Sequence, residues 1–358
     1  MNFPTDFTYE ALPMRVVMGP RSLDRLSHEI DHIGLQRVVV LCSPDRQVLA
    51  ETVAGLLGPR VVDIHAGARM HVPVESAYEA RRRMSEVNAD GCIALGGGSS
   101  IGLGKAVALH DGLPIIAVPT TYAGSEMTPV WGLTENGVKR TGRDPRVLPV
   151  SVLYDPALTV TLPAAVSVTS GMNAIAHAAE ALYAPDASPI IGLMAEEGVR
   201  ALAAALPGIV ADGADLVARA AAQYGAWLCG SCLGSTTMSL HHKLCHALGG
   251  TLDLPHAQVH TVVLPHALAY NRRAAPQAMA ALGRALGTSI DPAEFLWDFA
   301  GRLGAPRSLR DLGMTENDID GIVKVALANP YANPRELTAE GLGELLYAAW
   351  CGEPPAYC

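Results

Sequence analysis

The stretch GCIALGGGSSIGLGKAVAL, residues 91–109, decides the fold of this chain. It begins as the apolar run of a buried strand, is interrupted by three glycines and two serines, and continues as a helix through Lys105. Glycines at such a junction let backbone N–H groups approach a phosphate, and a helix N-terminus favours negative charge. We therefore predict a dinucleotide site, with an ordinary tight turn as the alternative, because the spacing is not G-x-G-x-x-G. The candidate cofactor contacts are Gly96, Gly97, Gly98, Ser99 and Ser100.

Short β-branched runs alternate with helical stretches over the first 155 residues. The runs are RVVMG, RVVVLCS, RVVDIH, GCIALGGG and LPIIAVPTT. Alternation of this kind predicts a parallel sheet with helices on both faces. The segment PTTYAGSE, residues 119–126, follows the last of these runs and adds the hydroxyls of Thr120, Thr121 and Ser125 at the carboxyl edge of the sheet, where ligands of open α/β sheets bind.

Alanine-rich amphipathic runs replace the strand pattern beyond about residue 160, which predicts an all-helical second lobe. A chain of 358 residues is long enough for two domains. We predict an α/β, Rossmann-like dinucleotide-binding domain over residues 1–158, an all-helical catalytic domain over residues 159–358, and a cleft between them. Prolines are expected to lie between the helices, at Pro156, Pro163, Pro189, Pro207, Pro255, Pro265, Pro306 and Pro330.

Composition and charge exclude several classes of protein. Hydrophobic residues make up 49% of the chain and charged residues 17%, which is typical of a well-buried globular protein. A net charge of -9 gives no basic field for nucleic acid, and no stretch of about 18 uninterrupted apolar residues predicts a membrane span. Seven cysteines, an odd count, and no basic start followed by an apolar stretch favour a reduced cytoplasmic protein without a signal peptide. Cys229 and Cys232 form a lone CxxC, for which buried packing is favoured over metal binding or redox chemistry.

Histidines dominate the segment HHKLCHALGGTLDLPH, residues 241–256. His242 and His246 are four apart and so share one face of a helix, as do Asn173 and His177 in GMNAIAHAAEA, while His256 begins a further helix. Singly, each histidine is better explained as structural, but four polar groups converging in an apolar interior are costly unless they are used. Three imidazoles and a carboxylate would hold a divalent metal well, but the fourth group here is an amide.

These motifs, in this order, resemble the iron-dependent, group III alcohol dehydrogenases, and within them the maleylacetate reductases. The resemblance covers essentially the whole chain and includes the GGGS loop, the PTT…SE segment, both polar pairs and the later PH. By position, it places the family's metal ligands at Asn173, His177, His242 and His256, and a substrate-lining histidine at His246. The aspartate usual at the first ligand is therefore lost.

Further departures concern the remaining motifs. Gly102 stands where metal-dependent members usually have aspartate, PTTYAGSE is one residue shorter than the usual PTTAGTGSE, and Ala257 replaces the glycine of PHG. The resemblance then implies reduction of the C=C bond of 2-maleylacetate to 3-oxoadipate, in the bacterial breakdown of aromatic compounds. It also implies NADH or NADPH as cofactor, no required metal, and a degenerate metal site.

Hydride addition to the β carbon of this conjugated ketone produces an enolate that must be stabilised and protonated. We expect His246 or His242 to fill that role, with His177, His256 and Asn173 adding polar contacts. Lys243 is the nearest cation for a substrate carboxylate, although a solvated helix lysine is equally consistent; Tyr122, Tyr331 and Arg335 are weaker candidates. His241, His260 and His266 are expected to be structural.

Cofactor selection is predicted at the end of the second strand, where Ser43 stands in place of the acidic residue that excludes NADPH, with Asp45 two residues on. NADH is favoured and NADPH remains open. A homodimer is implied only by the resemblance. Three alternatives remain: a metal-dependent alcohol or aldehyde dehydrogenase of the same family, a lyase similar to dehydroquinate synthase, and a noncatalytic nucleotide-binding protein.

Overall fold

A computed structural model describes residues 7–12, 14–136 and 138–355. One compact unit is Leu12–Leu162, and the other combines the residues from Pro163 onward with the described residues before Leu12, which the sequence had placed in the first domain. The predicted boundary at 158/159 falls a few residues earlier, inside a short 3-10 helix over Pro156–Thr159. Asp155 caps that helix by accepting the Ala157 N–H, and the Tyr122 hydroxyl donates to Thr159 at 3.2 Å, so these residues belong to the first unit.

The first unit contains a six-stranded parallel sheet in the order β1-β8-β5-β4-β2-β3, and a two-stranded antiparallel ribbon of β6 and β7. The strands are β1 Arg15–Met18, β2 Val38–Leu41, β3 Val61–His65, β4 Gly91–Gly96, β5 Ile115–Pro119, β6 Val130–Glu135, β7 Val138–Arg143 and β8 Ser151–Tyr154. Its helices are α1 Leu26–Ile33, α2 Gln47–Leu57, α3 Val74–Glu86 and α4 Gly98–Asp111. The predicted parallel α/β sheet is confirmed.

Burial explains why the central strands read as continuous apolar runs. Every residue of β2, β4 and β5 is buried, as expected for parallel strands covered on both faces. Parallel strands end at the same edge of the sheet, and the Thr120 N–H after β5 donates to the Gly96 carbonyl at the end of β4, at 3.0 Å. The two glycine- and hydroxyl-rich loops therefore lie side by side.

Lys105, on helix α4, forms hydrogen bonds with the segment that follows β5. Its ammonium nitrogen is buried and donates to the carbonyl oxygens of Ser125 at 2.6 Å, Thr128 at 2.8 Å and Val130 at 2.8 Å. Burial lowers the pKa of Lys105 to about 7, while the nearby Glu126 carboxylate opposes that shift. One side chain of α4 thus satisfies carbonyls of the segment after β5 and of the first residue of β6.

The antiparallel ribbon of β6 and β7 is absent from the expectations drawn above. A sequence signal for it exists: the residues between the strands are Asn136 and Gly137, a pair that favours tight hairpin turns, and Asn136 has a φ of 51°. Gly137 itself lies outside the described residues. The alternation along WGLTE is weak, since Val130, Trp131 and Gly132 are all only half-buried, and this obscures the strand.

The second unit is helical throughout its described residues, as predicted. Its helices are α5 Ala164–Ala181, α6 Pro189–Ala211, α7 Leu216–Ser235, α8 Leu240–Leu252, α9 His256–Asn271, α10 Pro276–Leu286, α11 Pro292–Arg302, α12 Ile319–Leu327 and α13 Ala339–Cys351. Helices α8, α9, α12 and α13 share one apolar core. Among the described helices, none combines the length and the apolar character that crossing a membrane requires.

Two of the prolines do not lie between helices. Pro189 begins α6 as predicted, but Pro207 lies inside α6 and Pro265 inside α9, so the prediction is wrong for these two. A proline in a helix interior removes one N–H donor and costs roughly 3 kcal/mol. Apolar packing on both sides of the residue offsets this cost, since Leu206, Ile209 and Leu264 are fully buried.

Candidate active site

Gly96 shapes the predicted phosphate loop. Its φ of 139° is a conformation that side chains disfavour, and a Cβ at this position would lie 2.4 Å from the Ser100 hydroxyl oxygen. A Cβ on Gly97 would meet the Thr121 methyl group at 3.0 Å, which shows how closely the two loops approach each other. Helix α4 begins at Gly98, so its first N–H groups face the space beyond these glycines.

The other candidate cofactor contacts lie around the same edge. Thr121 and Ser125 are half-buried, whereas Thr120 is only 1% exposed. Ser43 is half-buried after β2 and precedes a short 3-10 helix, and Asp45 is exposed and pairs with Arg46 at 3.3 Å. The glycine loop after β4, the hydroxyls after β5 and Ser43 after β2 thus all lie at the carboxyl ends of parallel strands in the first unit.

Gly102, one of the departures noted above, has a steric explanation. A Cβ at this position would lie 2.6 Å from a Val72 methyl group, and Val72 is itself 6% exposed with a φ of 48°. A β-branched residue with positive φ is strained and persists only where neighbouring contacts fix it. Here the Val72 carbonyl accepts the Thr134 N–H at 3.1 Å. The side chain that occupies the space next to α4 therefore excludes an aspartate at position 102.

The histidine cluster lies within the helical unit. Helix α5 carries Asn173 and His177, α8 carries His242 and His246, and α9 begins at His256, as predicted from their spacing. His177 Nδ1 lies 2.7 Å from His242 Nε2. The ring centroids of His242 and His246 are 6.3 Å apart and nearly perpendicular. Residues from two helices thus meet as predicted, and His246 is the exposed member on α8.

His260 connects His256 to this group and was expected to be only structural. Its ring centroid lies 4.2 Å from that of His256, 5.1 Å from that of His242 and 4.8 Å from that of His241. Neither ring nitrogen of His260 has a hydrogen-bond partner among the residues that the structure describes. A fully buried imidazole with two unused nitrogens is a costly arrangement that suits a binding site.

Glu180 is the residue of this cluster that sequence reasoning missed. It is fully buried, and its carboxylate lies 2.7 Å from His242 Nδ1. Glu180 follows His177 by three residues on α5, so an i, i+3 search from a predicted ligand would have found it. His241 joins the same group, since its Nδ1 lies 3.4 Å from His242 Nδ1.

Burial favours the neutral form of three imidazoles in this cluster, those of His241, His242 and His260. Desolvation lowers the pKa of His241, and lowers those of His242 and His260 well below the usual value, with neighbouring histidines adding to the effect for the last two. Neutral imidazole is the form that donates and accepts one hydrogen bond each and that binds metals. The cluster can therefore hold either a cation or a polar substrate atom.

The donor set fits a divalent metal ion. Glu180, His241 and His242 form one group whose ligand atoms lie within 4.8 Å of one another, and His241, Cys245 and His260 form a second. The Asn173 side-chain oxygen is buried without a partner in the described part of the chain. Imidazole with carboxylate or thiolate suits iron and zinc. Unused buried donors and the clustering of ligand atoms therefore both point to a cation site.

The candidate substrate contacts are placed differently from one another. Lys243 is exposed on α8, with its ammonium nitrogen 5.3 Å from the centroid of the Tyr331 ring. Tyr331 is half-buried, and Arg335 lies over the Tyr270 ring at 4.1 Å. Tyr122 is fully buried and donates to Thr159, a position that suits packing better than a substrate contact.

His266 is a buried histidine outside the cluster, and its burial predicts a pH dependence of stability. Burial lowers its pKa to about 4, and its Nε2 has no partner within the described ranges. The His266 imidazole is protonated near pH 6.5 in the unfolded chain but only near pH 4 in the folded chain. Above about pH 6.5 its titration does not lower the free energy of unfolding, and as the pH falls towards 4 the free energy of unfolding decreases. The free energy of unfolding should therefore decrease between about pH 7.5 and about pH 5 by about 2 kcal/mol less in His266→Gln than in the wild type.

Urea unfolding of both proteins at the two pH values measures this difference. The exposed His32→Gln is the matched control and should retain the wild-type pH dependence. Equal losses of stability in wild type and His266→Gln would show that His266 does not titrate as a buried neutral imidazole.

Comparison with known proteins agrees with this architecture. Residues 13–156 match the iron-containing alcohol dehydrogenase family, and residues 167–350 match its C-terminal region. The chain is 56% identical over 350 residues to a maleylacetate reductase of Burkholderia cepacia, which covers 98% of this chain and 99% of that protein. It is 53% identical over 351 residues to one of Pseudomonas knackmussii, with the same coverage. The crystal structure of maleylacetate reductase from Agrobacterium tumefaciens is 48% identical, has a TM-score of 0.95, and covers 98% of this chain and 100% of that chain.

The chain belongs to the iron-containing alcohol dehydrogenase family, and is therefore an oxidoreductase. Within that family it belongs to the maleylacetate reductases, since the resemblance extends over almost the full length of both proteins. The fold class and the family expected from the motifs are both confirmed.

The expectation that no metal is required is wrong. The family to which the chain belongs is iron-containing, and the described residues provide two buried groups of potential metal ligands. The expectation considered only the four positions of the family's ligands, one of which has become Asn173. Tertiary structure adds to the same region the two ring nitrogens of His260, which have no hydrogen-bond partner among the described residues, so losing one carboxylate does not deprive the region of donors.

Proposed function

We propose that this enzyme uses NADH or NADPH to reduce the C=C bond of maleylacetate, giving 3-oxoadipate, in the breakdown of aromatic compounds. The observation that carries the proposal is the identity of 56% over 98% of this chain to a maleylacetate reductase. The histidine cluster and the glycine loop support it, since the reaction needs groups that handle an enolate and a site for a dinucleotide.

The dinucleotide would bind at the loop that β4 and α4 form. We assign the pyrophosphate to the N–H groups and hydroxyls of the loop, and the ribose nearest the second strand to Ser43. Support comes from the φ of Gly96, which leaves backbone rather than side chain facing the ligand, and from the start of α4 at Gly98. The assigned residues are Gly96, Gly97, Gly98, Ser99, Ser100, Thr120, Thr121, Ser125 and Ser43.

Hydride arrives at the β carbon of the conjugated ketone, and the electron pair of the C=C bond moves to the ketone oxygen as an enolate. His177, His242 and His256 would line the space around that oxygen and supply polar contacts to it. His246 would return a proton to the carbon next to the ketone, which completes the reduction. Its exposure on α8 supports this role, because a proton donor must be refilled from solvent.

A divalent cation in the cluster would be held by His177, His242 and His256, with Asn173 and the neighbouring donors completing the set. When bound, it would supply Lewis-acid polarisation of a carbonyl oxygen. Whatever occupies the space, the protein's own contribution is to keep water out, since His242 is 5% and His177 3% exposed.

Lys243 would bind one carboxylate of the substrate from the exposed face of α8. Its ammonium nitrogen lies over the Tyr331 ring, 5.3 Å from the centroid, a contact that leaves the charge in place. Arg335, the other candidate cation from the sequence, already donates to the Tyr270 carbonyl at 3.3 Å. We further propose a cytoplasmic homodimer; the thiol state of the cysteines within the described residues suits a reducing compartment.

Asn173→Asp should weaken substrate binding. An amide can donate to a substrate oxygen, whereas a carboxylate at the same buried position would repel a dianion. We expect KM for maleylacetate to rise about tenfold, which corresponds to about 1.4 kcal/mol. Steady-state kinetics at saturating NADH measure the change, and an unaltered KM would remove this role from Asn173.

The test of the proposed function compares substrates. Purified enzyme is assayed with NADH and maleylacetate, and separately with short aldehydes and, in reverse, primary alcohols. The proposal predicts kcat/KM for maleylacetate at least about a hundredfold above that for any of them, a difference of about 2.7 kcal/mol in transition-state binding. A higher kcat/KM for the aldehydes or alcohols would contradict the proposal and indicate a general alcohol dehydrogenase.

A further inference from the structure

Glu180 occupies the last turn of α5 and closes the N-terminus of α8. Its Oε1 accepts the N–H of His241 at 2.8 Å, and its Oε2 accepts the N–H of Ser239 at 2.9 Å and of His242 at 3.3 Å. The first N–H groups of a helix have no partner within the helix, and a buried carboxylate satisfies them well. Ser239, the N-cap residue, makes no such bond with its own side chain.

The same carboxylate determines which nitrogen of His242 carries the proton. Its Oε2 lies 2.7 Å from His242 Nδ1, and the other groups that contact this carboxylate among the described residues are N–H and O–H donors. A carboxylate oxygen accepts, so His242 Nδ1 must be the protonated nitrogen. In a neutral ring this leaves Nε2 with a free lone pair.

His241 provides an independent check on this assignment. Its Nε2 lies 3.0 Å from the His260 carbonyl oxygen, which can only accept, so the His241 proton is on Nε2. His241 Nδ1 is then unprotonated and faces the protonated Nδ1 of His242 at 3.4 Å. The opposite tautomer of His242 would place two lone pairs against each other.

The tautomer of His242 determines the direction of its hydrogen bond with His177. His242 Nε2 lies 2.7 Å from His177 Nδ1, so an unprotonated Nε2 accepts the His177 Nδ1–H. We propose that Glu180 is a positioning residue that locks His242 in the Nδ1–H tautomer and thereby aims the Nε2 lone pair at His177 Nδ1. The inference rests on the proposed function of the histidine cluster and adds to it the group that orients the ring.

An amide cannot replace this carboxylate. Both oxygens of Glu180 accept N–H groups, and Tyr183 donates to Oε1 as well, at 3.2 Å. A glutamine has one acceptor oxygen, and its NH2 group would face donors on the other side. Either the hydrogen bonds that cap the N-terminus of α8 or the hydrogen bond to His242 Nδ1 would be lost.

The wild-type enzyme provides the deciding test, by NMR of protein labelled with nitrogen-15 in its histidines. The His242 signals are assigned by their loss in His242→Gln. We expect a protonated-type Nδ1 and an unprotonated-type Nε2. A protonated Nε2 with an unprotonated or metal-bound Nδ1 would overturn the inference, and this measurement does not need turnover of maleylacetate.

Glu180→Gln adds a kinetic readout. We expect kcat to fall about 10- to 100-fold with KM for maleylacetate within about twofold of wild type, and the His242 tautomer to become mixed. Glu180→Asp, which keeps the charge but is one methylene shorter, should recover part of kcat. The control Glu197→Gln removes a half-exposed carboxylate that pairs with Arg200 and should change neither readout. A retained single Nδ1–H tautomer in Glu180→Gln would contradict the role.

Discussion

Replacing His246 by glutamine is expected to lower kcat for maleylacetate by roughly 10²- to 10⁴-fold, the range that a positioned acid–base group contributes. An amide has similar size and can hydrogen-bond, but it cannot deliver a proton to carbon. Because His246 is exposed on α8, the substitution should leave the fold intact, and substrate KM should change little. Steady-state kinetics combined with thermal unfolding measure both effects.

The surface residue His32 provides the matched control for this prediction. His32→Gln makes the same chemical change on α1, in the other unit, and should retain wild-type kcat. A kcat for His246→Gln within about threefold of wild type would be too small an effect for a general acid, and would transfer the role to His242.

The second large effect is expected at the phosphate loop. Gly96→Ala places a methyl group where φ is 139° and where the Ser100 hydroxyl oxygen is 2.4 Å away. The junction between β4 and α4 must then shift, at a cost of about 1–3 kcal/mol, and the N–H groups that we propose as the pyrophosphate contacts move with it. We expect the affinity for NADH to fall at least about tenfold. Fluorescence titration with NADH and urea unfolding measure the two consequences.

Gly55 allows the same substitution without strain. It lies inside α2 with ordinary helical backbone, and a Cβ there meets no atom of the described residues within 4 Å. Gly55→Ala should leave NADH affinity unchanged and stabilise the protein by up to about 1 kcal/mol. If Gly96→Ala bound NADH as tightly as Gly55→Ala does, the loop would not be the pyrophosphate site.

Local patterns were sufficient to predict the sheet and its edge. The runs around Val38–Leu41 and Gly91–Gly96 are apolar throughout because both faces of a parallel strand are buried, and such runs are legible without tertiary information. The i, i+4 spacing of His242 and His246 likewise fixes their shared helix face. These signals depend on neighbours within one element.

Features that depend on contacts distant in sequence could not be predicted in the same way. Glu180 lies 62 residues from His242, and only the packing of α5 against α8 turns an ordinary helical glutamate into a buried cap. His260 has the spacing of a core residue on α9, and its unused nitrogens become apparent only when its neighbours are in place. The error about the metal arose here, because the donors that compensate for Asn173 are not next to it in the sequence.

Pro207 and Pro265 illustrate the same limit for the backbone. Proline is a reliable local signal for a helix end, and at Pro189 it marks one. At Pro207 and Pro265 the burial of the surrounding apolar residues outweighs a lost hydrogen bond, and the helices continue. Tertiary packing, which the local pattern does not contain, decides between the two outcomes.

The position to which hydride is transferred tests the central claim most directly. The enzyme is supplied with maleylacetate and NADH that carries deuterium at the transferable position of the nicotinamide, and the product is analysed by NMR and mass spectrometry. We predict 3-oxoadipate with an intact ketone and one deuterium on the carbon that was β to that ketone in the C=C bond. Deuterium on a carbinol carbon, with the C=C bond retained, would show carbonyl reduction and contradict the proposed function.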